Sequence, residues 1–260
     1  MESWLNSLAG LCVGMLVGAT GVGGGAVMTP ILVLLVGVAP HTAVGTDLVY
    51  ASLTKMFGVA VHGAYGRIDW QVVRRLALGS LPVASLTLIW LHATSLDSSR
   101  QAVIVLALGM VLMFTSVAMI AKPYLNQVGR KYRISFPVEF KRYQPLFTVM
   151  AGAVLGFLVA LTSIGAGALG TVMLVYLYPF RLTPAKLVGT DLAHAIPLAL
   201  LCGAGHILMG NVDFRLLGQL LLGSIPGVWL GAYLAGKLPD NMLRIGIAVV
   251  LGMTGARLLS

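Results

Sequence analysis

Charge is the first thing this sequence lacks. Only 10% of its 260 residues are Asp, Glu, Lys or Arg, 58% are hydrophobic, and the mean hydropathy is +0.94. A soluble domain carries about 25% charged and roughly 45–50% apolar residues. There is too little polar surface here to coat the chain in water, so most of it must be solvated by lipid. Acidic residues are scarcest, eight in all, which leaves little for a catalytic constellation. HExxH, CxxC, GxSxG and P-loop patterns are absent, and the five histidines lack metal-ligand spacing. An enzyme is not expected, nor a metal or cofactor. Cys12 and Cys202 lie in separate apolar runs, which argues against a disulfide framework.

What the chain has in abundance is long apolar runs. These exclude a transmembrane barrel, whose strands would alternate over short segments, and leave an all-α polytopic membrane protein. Ten segments can be marked: 5–21, 24–37, 43–62, 70–92 and 98–121, then 145–161, 165–180, 187–207, 214–236 and 241–259. The second of each five is short for a span, and is either a tilted crossing or a half-helix that dips and returns. Glu2 and the absence of a preceding basic residue mark the first run as retained rather than as a signal peptide. Net charge is +9, and the charges fall between the runs. The positive-inside bias explains that better than nucleic-acid binding does.

The halves repeat. Gly45-Thr46-Asp47-Leu48 recurs 144 positions later as Gly189-Thr190-Asp191-Leu192. The same offset pairs Gly21 with Gly165, Gly23 with Gly167, Pro40 with Pro184, His62 with His206, Gly66 with Gly210 and Asp69 with Asp213. Gly79-Ser80-Leu81-Pro82 likewise meets Gly223-Ser224-Ile225-Pro226. The organisation is therefore a first transmembrane repeat over 1–121, a basic cytoplasmic connection over 122–144 and a second repeat over 145–260. If every segment crosses and the connection is inside, Arg67, Arg74, Arg75, Arg181, Lys186, Lys237 and Arg244 join it there. Only Arg100, Arg215 and Arg257 then stay outside. That count favours eight to ten spans in two inverted repeats of about five segments, an arrangement common in secondary transporters.

Two glycine-rich breaks, Gly18 to Gly25 and Thr162 to Gly167, interrupt apolar runs at matching places. A broken helix exposes amides, and the next helix presents its positive dipole end, which suits an anion. Close packing through small residues is the competing reading. Candidate substrate-binding residues are Thr20, Gly21, Gly23, Gly24 and Gly25 at the first break, and Thr162, Ser163, Gly165 and Gly167 at the second. Thr46, Thr190 and Lys55 complete the set. Carboxylates inside a membrane segment are costly and usually functional, so Asp47 and Asp191 are candidates for proton coupling. The alternative is that each caps the N-terminus of its own helix. On an ideal helix Asp47, Lys55 and His62 share one edge, as do Asp191, Cys202 and His206. Lys55 faces Ala199 across the repeat, and Tyr50 faces His194, so the two half-sites differ. His62 and His206 read as interfacial packing, and Asp69 and Asp213 as helix N-caps.

The run Gly18-Ala19-Thr20-Gly21-Val22-Gly23-Gly24-Gly25, with Pro30 and Ala43-Val44-Gly45-Thr46-Asp47-Leu48, resembles the TauE/SafE family of sulfite-exporter-type transporters. The resemblance recurs at Gly165, Gly167 and Gly189-Thr190-Asp191-Leu192. It implies movement of small sulfur-containing anions or organic acids, such as sulfite, sulfonates or related carboxylates. Where many members have Gly-Thr-Ser or Gly-Thr-Asn, this chain has aspartate twice, and Leu169 replaces the third glycine of the break. The expected function is thus a secondary anion transporter of the cell inner membrane working by alternating access, with proton coupling as a subsidiary expectation. A passive anion pore or a non-transporting membrane scaffold are the alternatives. Expected partners are a small anion, protons and the lipid bilayer, with a homodimer as one option and no nucleic acid.

Overall fold

In hydrocarbon a backbone amide has no water to bond, so a continuous apolar run closes its hydrogen bonds along its own axis. A computed structural model describes residues 2–20, 25–34, 36–64, 67–93, 98–135, 137–165, 167–234 and 240–259. Within them lie ten helices and no strand. In the first half these are α1 (Glu2–Thr20), α2 (Gly25–Leu34), α3 (Pro40–Ala64), α4 (Trp70–Ala93) and α5 (Ser98–Ser135). The second half has α6 (Pro137–Thr162), α7 (Ala168–Leu177), α8 (Pro184–Leu208), α9 (Phe214–Leu234) and α10 (Asp240–Leu259). Pro40 and Pro184 open α3 and α8, where a fixed φ helps and a missing N–H costs nothing. Thr183 caps α8 by accepting the Lys186 N–H at 3.4 Å.

Among the described residues, four helical stretches are long and apolar enough to cross a membrane: Trp70–Ala93, Ile104–Ser135, Val138–Thr162 and Pro184–Leu208. Large side chains such as Leu78, Leu222 and Trp229 stand exposed on α4 and α9, as a lipid-facing surface requires. The basic connection is helical on both sides of residue 136. At 38 residues, α5 is about 57 Å long, far more than the roughly 30 Å of hydrocarbon. Its last turns and the first of α6 therefore project beyond the membrane.

α7 behaves as neither a simple span nor a returning dip. α2 and α7 have 10 residues each, about 15 Å or half the hydrocarbon. Yet α7 ends beside the start of α6: Gln144 Nε2 donates to the Leu177 carbonyl at 2.5 Å, and the Thr148 and Tyr178 hydroxyls pair at 2.8 Å. The non-helical residues 163–165 and 167 between α6 and α7 supply part of the missing reach. At that end Arg181 forks onto Asp69 (2.6 and 2.8 Å), Arg75 donates to the Tyr178 hydroxyl (3.2 Å) and Arg130 lies over the Phe180 ring. The basic residues of the α3–α4 loop, the connection and the α7–α8 loop thus share one end, as an odd number of passes requires.

The halves are inverted and interlocked. Asp69 N–H donates to Thr190 Oγ1 and Asp213 N–H to Thr46 Oγ1, both at 3.0 Å. The start of α3 therefore meets the end of α8, and the start of α8 meets the end of α3, so equivalent loops lie at opposite ends. Tyr50 OH donates to Ser224 Oγ (2.7 Å) while His194 Nε2 pairs with Ser80 Oγ (2.8 Å), again equivalent positions. The repeats are not two bodies side by side. α1 packs on α9 and α6 on α4, each helix with one from the other repeat. Glycine makes these seams: a Cβ at Gly10 would strike the Leu220 carbonyl, and one at Gly223 the Ser7 carbonyl. On the other seam a Cβ at Gly152 would strike the Leu76 carbonyl. Small residues let backbones touch where lipid offers no hydrophobic drive to associate.

Gly223→Val should lower the stability of the detergent-solubilised protein by about 1–3 kcal/mol or more, as overpacking does. Gly246→Ala, whose Cβ would meet nothing within 4 Å, should leave the melting temperature unchanged. Equal melting of both variants would refute the seam.

Candidate functional site

The second glycine break is a turn built to stay open. Thr162 Oγ1 donates to the Leu158 carbonyl (2.7 Å) and accepts the Ile164 N–H (3.2 Å), holding the chain as it leaves α6. Ser163 then takes a left-handed φ of 60°, and Gly165 and Gly167 have φ of 137° and 117°. Left-handed geometry is easy for glycine but costs a residue with a Cβ roughly 1–2 kcal/mol. Gly170 N–H reaches back to the Gly165 carbonyl at 2.9 Å as α7 begins.

Two carboxylates flank this segment. Asp47, on α3, accepts the Thr29 hydroxyl at 2.5 Å, tying it to α2. The Ser163 hydroxyl faces the same carboxylate, without a formed hydrogen bond. Asp191, on α8, faces the Gly167 backbone at the N-terminus of α7, without a formed hydrogen bond. Its Oδ1 fills the space a Cβ on Gly170 would need. Lys55, two turns beyond Asp47, lies within electrostatic reach of both carboxylates and of His194. Asp47, Asp191, Lys55, Ser163 and His194 are each no more than 5% exposed. Asp47 Oδ1, Asp191 Oδ1, Ser163 Oγ and His194 Nδ1 have no hydrogen-bond partner. Lys122 of α5 also acts on Asp191, but it is half-buried and bonds Thr171 Oγ1 at 3.5 Å.

This arrangement overturns the reading of the two aspartates as caps of their own helices. α3 and α8 start at Pro40 and Pro184, two turns upstream, so neither carboxylate can reach its own first turn. Asp191 serves the N-terminus of a different helix, α7. Thr46 and Thr190 spend an acceptor site on the loops of the opposite half, and Thr162 holds the turn. Of the candidates, Lys55, Ser163, Gly165, Gly167, Asp47 and Asp191 come together. Gly25 begins α2; Gly21, Gly23, Gly24 and the side chains of Thr20 and His62 lie outside the described residues. His206 is structural: its Nε2 pairs with the Ala160 carbonyl (3.0 Å) and its Nδ1 with Asn211 (3.3 Å). Asp69 and Asp213 do cap α4 and α9, accepting the Val72 N–H and the Leu216 N–H. The sequence reading missed Thr29, Gly170 and Lys122. Thr29 faces Met173 across the repeat, so the repeat carried no trace of it, and Lys122 was grouped with the basic connection.

With this geometry in hand, comparison with known proteins settles the family. The sequence matches the Sulfite exporter TauE/SafE family over residues 7–258. The chain belongs to the TauE/SafE family. It is 43% identical over 215 residues to the probable membrane transporter protein YjnA of Bacillus subtilis (strain 168), covering 82% of each chain. It is 28% identical over 218 residues to a probable membrane transporter protein of Haemophilus influenzae (strain ATCC 51907 / DSM 11121 / KW20 / Rd). That match covers 81% of this chain and 73% of the relative. No solved structure matches it. A TauE/SafE chain with several apolar helices is a multi-pass membrane transporter.

Chemically, two buried carboxyl groups face one enclosed lysine. Removing one partner of a buried ion set costs about 3–5 kcal/mol, because the other charge is stranded. Lys55→Met should therefore lower the melting temperature substantially, and adding Asp191→Asn should recover part of the loss. A Lys55→Met protein that melts like the parent would remove Lys55 as the counter-charge.

Proposed function

We propose that the chain is a secondary transporter of a small anion, such as sulfite, a sulfonate or a related organic acid, coupled to protons and working by alternating access. The single observation behind this reading is the enclosed set of Lys55, Ser163, Asp47 and Asp191 at a helix break between inverted halves. The break contributes the N-terminus of α7, whose dipole favours negative charge. Lys55 contributes a full positive charge and Ser163 an unengaged hydroxyl. Asp47 and Asp191 carry the proton: an anion that takes over Lys55 would strand an ionised carboxylate in a low-dielectric interior, so its binding draws a proton onto that carboxylate. The printed family name, Sulfite exporter, supports the substrate class, and the relatives' names support transport.

The basic end of the molecule faces the cytoplasm of a cell inner membrane under the positive-inside bias. Single cysteines placed at Lys131 and Leu208, in a background without Cys12 and Cys202, should label from opposite sides of inverted and right-side-out vesicles. Labelling from the same side would reject this topology.

Flux of radiolabelled sulfite and of a short alkyl sulfonate into proteoliposomes tests the function. Uptake should saturate and rise when the outside is made acidic. Flux that ignores an imposed pH gradient would remove the coupling, and linear voltage-following flux would indicate a pore. Ser163→Gly separates function from folding. Removing the strained left-handed Cβ should hold or raise stability by about 1 kcal/mol, while loss of the hydroxyl weakens substrate affinity. Unchanged affinity would release Ser163 from the site.

A further inference from the structure

The site contains a built-in asymmetry that fixes more than its location. Both carboxylates are duplicated by the repeat, but the lysine is not: Ala199 stands where a second Lys55 would be. All three groups are enclosed, and each carboxylate keeps an unpartnered Oδ1. Among the described residues the charged or titratable groups facing them are these. Lys55 on α3 faces both carboxylates; Tyr50 on α3 faces Asp47; Lys122 on α5 faces Asp191; His194 on α8 faces Lys55. Lys122 is half-buried and towards the basic end, where solvent counterions can balance it. Tyr50 is engaged with Ser224, and His194 with Ser80.

We propose that this three-group set makes the transporter electroneutral, carrying one proton with each monovalent anion. This rests on the anion-transporter reading above. A net charge held in a low-dielectric enclosure is costly, so the states that move between the two faces are the neutral ones. In the empty site one carboxylate is ionised and paired with Lys55, and the other holds a proton. In the loaded site the anion takes over Lys55, and the carboxylate it displaces takes up one proton. The two states differ by one anion and one proton, so charge balances in each and no net charge crosses. A dianion cannot be neutralised by one lysine and two neutral carboxyls, so the site selects monoanions.

The same balance predicts what removing both carboxylates does. With Asp47→Asn and Asp191→Asn together, the empty site retains an unbalanced Lys55 and cannot return, whereas the loaded site is neutral. The variant becomes an exchanger: it swaps internal for external anion but loses net, proton-driven uptake. Each single Asn variant retains one titratable carboxyl and keeps its proton coupling, whatever its rate.

The probe is a short alkyl sulfonate, a permanent monoanion, in proteoliposomes of the full chain with potassium–valinomycin potentials and pH gradients imposed separately. Expected are uptake driven by the pH gradient, unaffected by voltage and uninhibited by sulfate, and loss of net uptake with retained exchange in the double variant. Should the double variant not fold, the single variants carry the test, and loss of proton coupling in either would overturn the proposal. Saturable flux that moves net charge would overturn the stoichiometry while leaving an anion transporter. Absence of any saturable flux of sulfonate, sulfite or a small carboxylate would instead overturn the transporter reading itself.

Discussion

At residues 163–165 and 167 the backbone leaves the helical ladder inside a buried interior, where a released amide needs a partner within the protein. Asp191 on α8 faces the Gly167 backbone there and sets a carboxylate against the N-terminus of α7. Much of the rest of the structure follows from this need. A carboxylate placed there introduces a charge, the charge calls for Lys55, and the lysine in turn draws in Asp47. Thr29 then fastens Asp47 to α2. A break that would destabilise an ordinary helix becomes the organising point of five helices: α2, α3, α6, α7 and α8.

The pseudo-symmetry supplies the frame and its violations supply the function. Reciprocal bonds from Thr46 and Thr190 to the opposite loops, and from Tyr50 and His194 to the opposite serines, pin α3 and α8 against both halves. The glycine seams bind α1 to α9 and α6 to α4, so neither repeat can be taken away intact. Against that regular frame Lys55 stands alone, and Thr29 has only Met173 opposite. The proposed transport site is where the two halves stop being copies.

Much of this was legible in the residues. The apolar runs and scarce charge defined the helices, and matched Gly, Pro, His and Asp at one offset revealed the duplication. Gly167 and Ser163 could be named from the break, and Asp47, Asp191 and Lys55 from their cost inside a membrane. What misled was proximity along the chain. Asp47 and Asp191 looked like caps for their own helices because their apolar runs begin nearby, but Pro40 and Pro184 start each helix two turns earlier. Thr29 was invisible because a threonine in an apolar helix can satisfy itself on the preceding turn.

By itself, then, the sequence determined the solvent, the helices, the inverted duplication and the short set of polar residues that had to matter. These follow from composition and periodicity, which act locally and at every position. Only the tertiary structure decided which carboxylate faces which amide, and that one lysine serves both. It also decided that Thr46 and Thr190 hold loops while Ser163 faces the site. Several of those outcomes join residues more than 100 positions apart, such as Asp47 with Ser163 and Lys55 with Asp191. They are set by how closely the glycine seams let helices approach, and a one-dimensional pattern does not encode that.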